Sequence, residues 1–219
     1  MITLNSQDII GEGTSRIVFN HPNDEKKCIK VSIRDKLILK KTRRGVRALF
    51  HPLSYFDPTK FEVQLFLKLE RRLGKLAFIH IPRFYETIET NFGRGAVFEK
   101  VGDENLETYL KVNSFDDRVE KKLIRLRDFF IQNRIHFSDW RPSNFVVKKG
   151  KSCERDAIFA VDGFEYTEFV PITRIPYFSK KKMLRRSLNM ISRLREQAIH
   201  KRMDPISDAT NRLQIQYQD

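Results

Sequence analysis

Two stretches of this sequence carry residue types and spacings that could do chemistry. The first is Asp139-Trp140-Arg141-Pro142-Ser143-Asn144, followed after two short apolar segments by Asp162. Asp139 offers a carboxylate suited to taking a proton, and Asn144 and Asp162 offer two oxygen donors. Mg²⁺ is a hard cation that takes oxygens from one or two side chains and completes its shell with water and phosphate, which suits this pair. Arg141 is placed to counter charge on a transferring phosphoryl group. Taken singly, D-x-R-P-x-N also reads as an ordinary turn, because Pro and Asn are turn residues.

The second stretch is Gly11-Glu12-Gly13-Thr14-Ser15-Arg16-Ile17-Val18. Glycines between two strands let backbone N–H groups approach phosphate oxygens. The same glycines suit a tight hairpin that binds nothing. Lys30 follows, and it faces the core if Cys28 does; a lysine there is costly unless it meets an anion. Glu62 is the candidate partner. In the alternative, Lys30 lies at a strand edge with its stem on the sheet and its ammonium in water.

These residues need elements to hold them. Asp8–Gly11 and Arg16–Asn20 are expected as strands around the glycine turn, and Lys27–Val31 as a third after a turn at residues 21–24. Asp57-Pro58 is a helix start, with Asp as N-cap and Pro in the first turn. Phe61, Leu65, Phe66, Leu69 and Leu73 follow at helical spacing until Gly74. Pro82–Thr90 and Gly95–Lys100 read as a hairpin around residues 91–94. Ser114-Phe115-Asp116-Asp117 resembles a capping box ahead of the stripe Val119, Leu123, Leu126 and Phe130, a helix ending near Asn133. Phe145–Val147 and Ala157–Val161 are short apolar strands. A last helix is expected from Lys180 to about His200, with Leu184, Leu188, Ile191, Leu194 and Ala198 on one side. The composition shifts near Gly102, which divides the chain into 1–101 and 102–219.

Composition narrows the function classes. The 219 residues are 40% hydrophobic and 32% charged, a balance of folded rather than disordered chains. No apolar run exceeds Ala157–Val161, far short of the ~18 residues a membrane span needs, so no transmembrane segment is expected. The N-terminus shows no secretory pattern, so a cytoplasmic location is expected. Cys28 and Cys153 are too few for a disulfide scaffold. The net charge is +14. Arg34, Lys36, Lys40, Lys41, Arg43, Arg44 and Arg47 form one basic cluster. Lys180, Lys181, Lys182, Arg185, Arg186, Arg193, Arg195, Lys201 and Arg202 form another. Both could meet an anionic surface or stay solvated.

The order of glycine loop, strand lysine, helix glutamate, D-x-[K/R]-P-x-N loop and metal-type Asp resembles the protein-kinase-like fold. Lys27-Cys28-Ile29-Lys30, residues Ile81-Pro82-Arg83-Phe84 through Thr90, Asn91-Phe92-Gly93-Arg94-Gly95, and Gln132-Asn133-Arg134-Ile135 through Asn144 further resemble the YrbL family of bacterial PhoP-regulatory-network proteins. The likeness runs from about Leu4 to Pro171. It implies an α+β, two-lobed, protein-kinase-like fold: an N-terminal antiparallel sheet plus one helix, and a compact, mostly helical C-terminal lobe. By residue, it implies Gly11 and Gly13 at the phosphates of ATP, Lys30 on the α- and β-phosphates, and Glu62 holding Lys30. Asp139 would take the acceptor's proton, Arg141 would meet the γ-phosphate, and Asn144 and Asp162 would hold Mg²⁺.

Departures from the kinase pattern leave more than one function open. Arg16 stands where a third glycine is usual, and His136 lies three rather than two residues before Asp139. Arg141 replaces lysine, and Asp162 precedes Gly163-Phe164 rather than Phe-Gly. Fifty-seven residues follow Asp162, few for a protein-substrate platform. An ATP-dependent phosphotransferase acting on a small molecule or a protein is one reading. A kinase-like regulatory module without turnover, a pseudokinase, is the alternative. A nucleic-acid binder rests on charge alone, since no helix-turn-helix, RNA-recognition or zinc motif accompanies it.

Overall fold

A computed structural model of the chain describes residues 1–13, 16–33, 38, 42, 57–102, 104–151, 156–164 and 176–203. The basic residues of the first cluster (Arg34, Lys36, Lys40, Lys41, Arg43, Arg44 and Arg47), Cys153 and the tip of the glycine turn at 14–15 lie outside the described residues. The architecture is mixed α+β. The chain forms two units, Met1–Asp103 with Phe159–Glu165, and Glu104–Ile158 with Tyr166–Asp219.

In the first unit, β1 (Ile9–Glu12), β2 (Arg16–His21), β3 (Asp24–Ser32), β4 (Phe84–Thr90) and β5 (Gly93–Glu99) form one sheet in the order β1-β2-β3-β5-β4. Each neighbouring pair is antiparallel. Cys28, Ile29, Lys30 and Val31 of β3 are all buried, so this central strand is covered on both faces. Ile29 and Val31 join Leu4, Phe19 and Val97 in an apolar cluster on one face. On the other, Cys28 lies opposite Phe98, whose ring meets Phe66 edge-on at 5.5 Å.

Phe66 belongs to α1 (Pro58–Leu73), which starts where the Asp57 carboxylate accepts from the Thr59 and Lys60 N–H groups and stops at Gly74, φ +56°. The sequence stripe is rotated slightly from the real one. Glu62, Phe66 and Leu69 form the buried face, while Phe61, Leu65 and Leu73 are half-buried flanks. A carboxylate thus sits in the middle of an apolar face. The β4–β5 turn is also tighter than expected: β5 begins at Gly93, and only Asn91 and Phe92 separate the strands. Asn91 accepts from Leu4 N at 2.8 Å and donates to Leu4 O at 3.0 Å, tying the N-terminal segment to this hairpin.

The second unit opens with β6 (Glu104–Asn105) and the short α2 (Leu106–Val112), capped by Asn105. α3 (Asp117–Gln132) is capped by Asp116 and buries Val119, Leu123, Leu126 and Phe130 as the periodicity predicts, together with Glu120. β7 (Phe145–Lys148) and β8 (Ala157–Ala160) complete a three-stranded sheet with β6.

The final helix, α4 (Pro176–Met203), starts four residues earlier than expected, and its buried face shares Ile191 and Leu194 with the expected stripe but is rotated away from Leu188. Met183, Ser187, Met190, Ile191 and Leu194 are inside, whereas Leu188 is 54% exposed and Leu184 and Ala198 are half-buried. Its basic residues are partly committed within the unit: Arg195 grips Glu120, Arg186 donates to Ser138 O, and Lys201 donates to Lys111 O. No helix among the described residues is long and apolar enough to cross a membrane.

Candidate functional site

In the first unit, four charged side chains meet. Lys30 is buried because β3 is the middle strand, and its Nζ lies 2.7 Å from Glu62 Oε1 and 2.6 Å from Val161 O. The ammonium also stands 4.7 Å from the centre of the Phe98 ring, whose face attracts a cation. Glu62 reaches it from α1. Its second oxygen, Oε2, accepts from Arg16 Nη1, and Arg16 Nη2 donates to Asp162 Oδ1. One guanidinium therefore bridges two carboxylates, one terminal nitrogen of its planar fork to each. Asp162 Oδ1 also accepts from Gly163 N at 2.7 Å. Burial works to raise the Asp162 pKa, but the charges of Arg16 and Lys30 and the Gly163 N–H override it and hold the carboxyl below its ordinary value.

Gly11 and Gly13 lie beside this cluster in sequence. Gly11 pairs with Val18 across β1 and β2, and the Gly13 N–H donates to Arg16 O at 2.8 Å. That N–H closes the hairpin at the head of β2. Neither glycine is needed for space: a Cβ at Gly11 would lie 3.9 Å from Val18 Cβ, and one at Gly13 3.6 Å from Arg16 O.

In the second unit, Asp139, Arg141 and Asn144 share one loop. Arg141 Nε lies 2.8 and 2.9 Å from the two carboxylate oxygens of Asp139, and its Nη2 also bonds Oδ2. Asn144 Nδ2 donates to Asp139 O at 2.9 Å, which leaves its Oδ1 as the oxygen to offer a ligand. The loop is anchored by packed rings: Phe137 lies 5.5 Å from Phe130 and 5.3 Å from Phe145, both tilted, and meets Trp140 edge-on at 5.3 Å. Trp140 is thus packed into the unit, and its buried Nε1 has no acceptor among the described residues. His136, also buried, shares a 2.8 Å hydrogen bond with Ser179 Oγ. Burial, with Lys182 and Arg186 nearby, pushes its pKa down to about 4, so it is neutral at pH 7.

The predicted set is therefore gathered in two groups. Lys30, Glu62 and Asp162 meet in the first unit, and Asp139, Arg141 and Asn144 in the second. The residue that sequence reasoning missed is Arg16. It entered only as a replacement for a glycine, yet it joins Glu62 to Asp162. The signal was available: a long cation at the start of a strand, with two acidic candidates already expected nearby. Cys28 is a packed thiol raised to about 11 by burial, which suits no nucleophilic role.

Comparison with known proteins places these residues in a family. The uncharacterized protein YrbL of Escherichia coli (strain K12) is 26% identical over 158 residues, which cover 68% of this chain and 67% of that protein. The uncharacterized protein YrbL of Shigella flexneri matches to the same extent. The family described as PhoP regulatory network protein YrbL matches residues 2–195, a span that takes in every site residue named above. The chain belongs to the PhoP regulatory network protein YrbL family.

Proposed function

We propose that the chain is a cytoplasmic Mg-ATP-binding phosphotransferase of protein-kinase-like fold with a regulatory role, residues 1–101 forming its N-lobe and 102–219 a reduced helical C-lobe. The observation that carries this reading is the buried Lys30–Glu62 pair with Asp162 joined to the same cluster through Arg16. Buried charges are expensive to keep away from water, and a pair of hydrophobic residues would hold a strand to a helix as well. A chain that keeps three buried charges there, with the half-exposed Asp162 joined to them, has a use for them. Glycines at 11 and 13 that the backbone does not require point the same way, since a side chain would obstruct a ligand rather than the fold.

In this reading Gly11 and Gly13 lie at the phosphates, Lys30 binds the α- and β-phosphates, and Glu62 fixes the lysine. Asn144 Oδ1 and Asp162 Oδ2 are hard oxygen donors that fit Mg²⁺. Bound Mg²⁺ would neutralise charge on the phosphates. Asp139 accepts the proton of the acceptor hydroxyl as its oxygen bonds to the γ-phosphorus and the bond to ADP breaks. Arg141 meets the charge on the transferred group. The acceptor is a small molecule or a protein side chain.

The test is ATP turnover with Mg²⁺ in the wild type, Asp139→Asn and Asp162→Ala. Turnover in the wild type that both variants lose supports phosphotransfer. A wild-type rate equal to that of the variants removes it.

A specific contact favours a second reading, a pseudokinase-type regulatory module that binds Mg-ATP without turnover. Arg141 closes on both oxygens of Asp139, which occupies the carboxylate a substrate hydroxyl would need. That reading predicts thermal stabilisation by Mg-ATP, equivalent to about 2.7 kcal/mol at a hundred times Kd, with no phosphorylated product.

A further inference from the structure

We propose that Arg16 is a resident cation standing in for a divalent metal at Asp162, so that metal binds there only once Arg16 has let go. The proposal rests on the reading above in one respect, that Asp162 is a metal ligand.

Arg16 is buried at the head of β2, and its two terminal nitrogens are directed to different carboxylates, Glu62 and Asp162. With Lys30 on Glu62, two cations face two anions, and the cluster is neutral as it stands. A divalent ion arriving alone at Asp162 would bring two further positive charges against Arg16 and Lys30. Like charges a few ångströms apart repel, and the Arg16 side of this pair is shielded from water although the Asp162 side chain is half exposed. Arg16 therefore excludes bare metal from a carboxylate that otherwise suits it.

A triphosphate changes that balance. Its oxygens offer the guanidinium a partner as good as a carboxylate. Arg16 follows Gly13 by three residues and is bonded to it through the 2.8 Å Gly13 N–H to Arg16 O contact. The hairpin that would lie over phosphates and the side chain that guards Asp162 are one structural piece. Metal binding is thereby made conditional on the phosphates that need the metal.

The probe is Mn²⁺ without nucleotide, titrated against the full chain and followed by the loss of its free electron-spin signal, with circular dichroism reporting folding. Arg16→Gln is expected to bind Mn²⁺ about tenfold more tightly than the wild type, as one fewer positive charge faces the ion. Adding Asp162→Asn to that variant is expected to abolish the gain. Equal Mn²⁺ affinity in the wild type and Arg16→Gln overturns the proposal, as does a gain that survives Asp162→Asn. Should Arg16→Gln fail to fold, Arg16→Lys is read in the same titration. It keeps a charge for Glu62 but offers one shorter-reaching nitrogen where Arg16 offers two, so tighter Mn²⁺ binding than the wild type is expected, and wild-type affinity overturns the idea. A wild-type chain that never binds ATP removes the nucleotide reading and leaves this titration standing. Unchanged Mn²⁺ affinity removes the role of Arg16 and leaves ATP binding untouched.

Discussion

The Lys30 ammonium sits 2.7 Å from Oε1 of Glu62, both side chains are shut away from solvent, and the other oxygen of the same carboxylate is taken by Arg16. Glu62 is therefore the hub of the cluster, and the two ends of the Lys30–Glu62 pair are unequal. Replacing Lys30 leaves Glu62 with one cation, whereas replacing Glu62 leaves two cations buried without it. Glu62→Gln is expected to destabilise the fold by about 3–5 kcal/mol, and Lys30→Met by clearly less. Urea unfolding of the two variants gives the order. A Lys30→Met loss equal to or above that of Glu62→Gln would show that the carboxylate is not shared.

His136 makes a prediction about pH. Its pKa falls from 6.5 to about 4 in the folded chain, chiefly through burial and then through Lys182 and Arg186. The unfolded chain therefore takes up this proton first. Between pH 6.5 and 4 the unfolded state binds more protons, so stability is lost as pH falls through that window and is fully present above it. The size is on the order of 3 kcal/mol across the window. Unfolding free energies measured from pH 7 to 4 should show this loss in the wild type and much less of it in His136→Gln.

The elements that place Lys30 and Glu62 were legible because each carries a local signal. Asp57-Pro58 announces a helix start, and β3 follows the turn after β2. The Asp116 cap and the stripe from Val119 to Phe130 were equally local. Arg16 was not legible in its real role, because its meaning depends on a carboxylate 146 positions away that only the fold delivers. α4 was found, and its face was right at Ile191 and Leu194 but not at Leu188. Leu188 reads as core and is exposed, and Ser187, which the stripe left out, is fully buried, its hydroxyl satisfied by Leu184 O at 2.9 Å. A short hydroxyl bonded to its own helix is cheap to bury, so hydropathy alone does not find such a position. α2 gave no signal because seven residues are too few for a periodicity.

Glycines divide into those the fold needs and those it does not. A Cβ at Gly95 would lie 2.7 Å from Ile29 Cγ2 and 3.3 Å from Val31 Cγ2, both in the apolar cluster. Gly95→Ala should cost about 1–3 kcal/mol by overpacking. Gly13→Ala meets only ordinary contacts and is expected to leave the unfolding midpoint nearly unchanged. If the phosphate reading holds, Gly13→Ala weakens ATP binding while Gly95→Ala, once folded, does not. Denaturant melts paired with nucleotide titrations separate the two kinds.

Arg134 ends α3 in a backbone conformation that favours glycine, φ +47°. The chain turns there so that Ile135 N can donate to Phe130 O at 2.8 Å and Arg134 N to Ile131 O at 3.2 Å, which satisfies carbonyls at the helix end. Those bonds use only backbone atoms, and they aim the chain into the loop bearing His136, Asp139 and Asn144. Glycine at this position relieves the Cβ contact and keeps both bonds, at the cost of a more flexible unfolded chain. The relief outweighs that cost at a left-handed position, so Arg134→Gly should raise stability by about 0.5–1 kcal/mol. Pro, whose ring cannot adopt a positive φ, should break the turn at the same position. Thermal melts that rise for Arg134→Gly and fall for Arg134→Pro would establish the strained cap, and a fall for both would refute it.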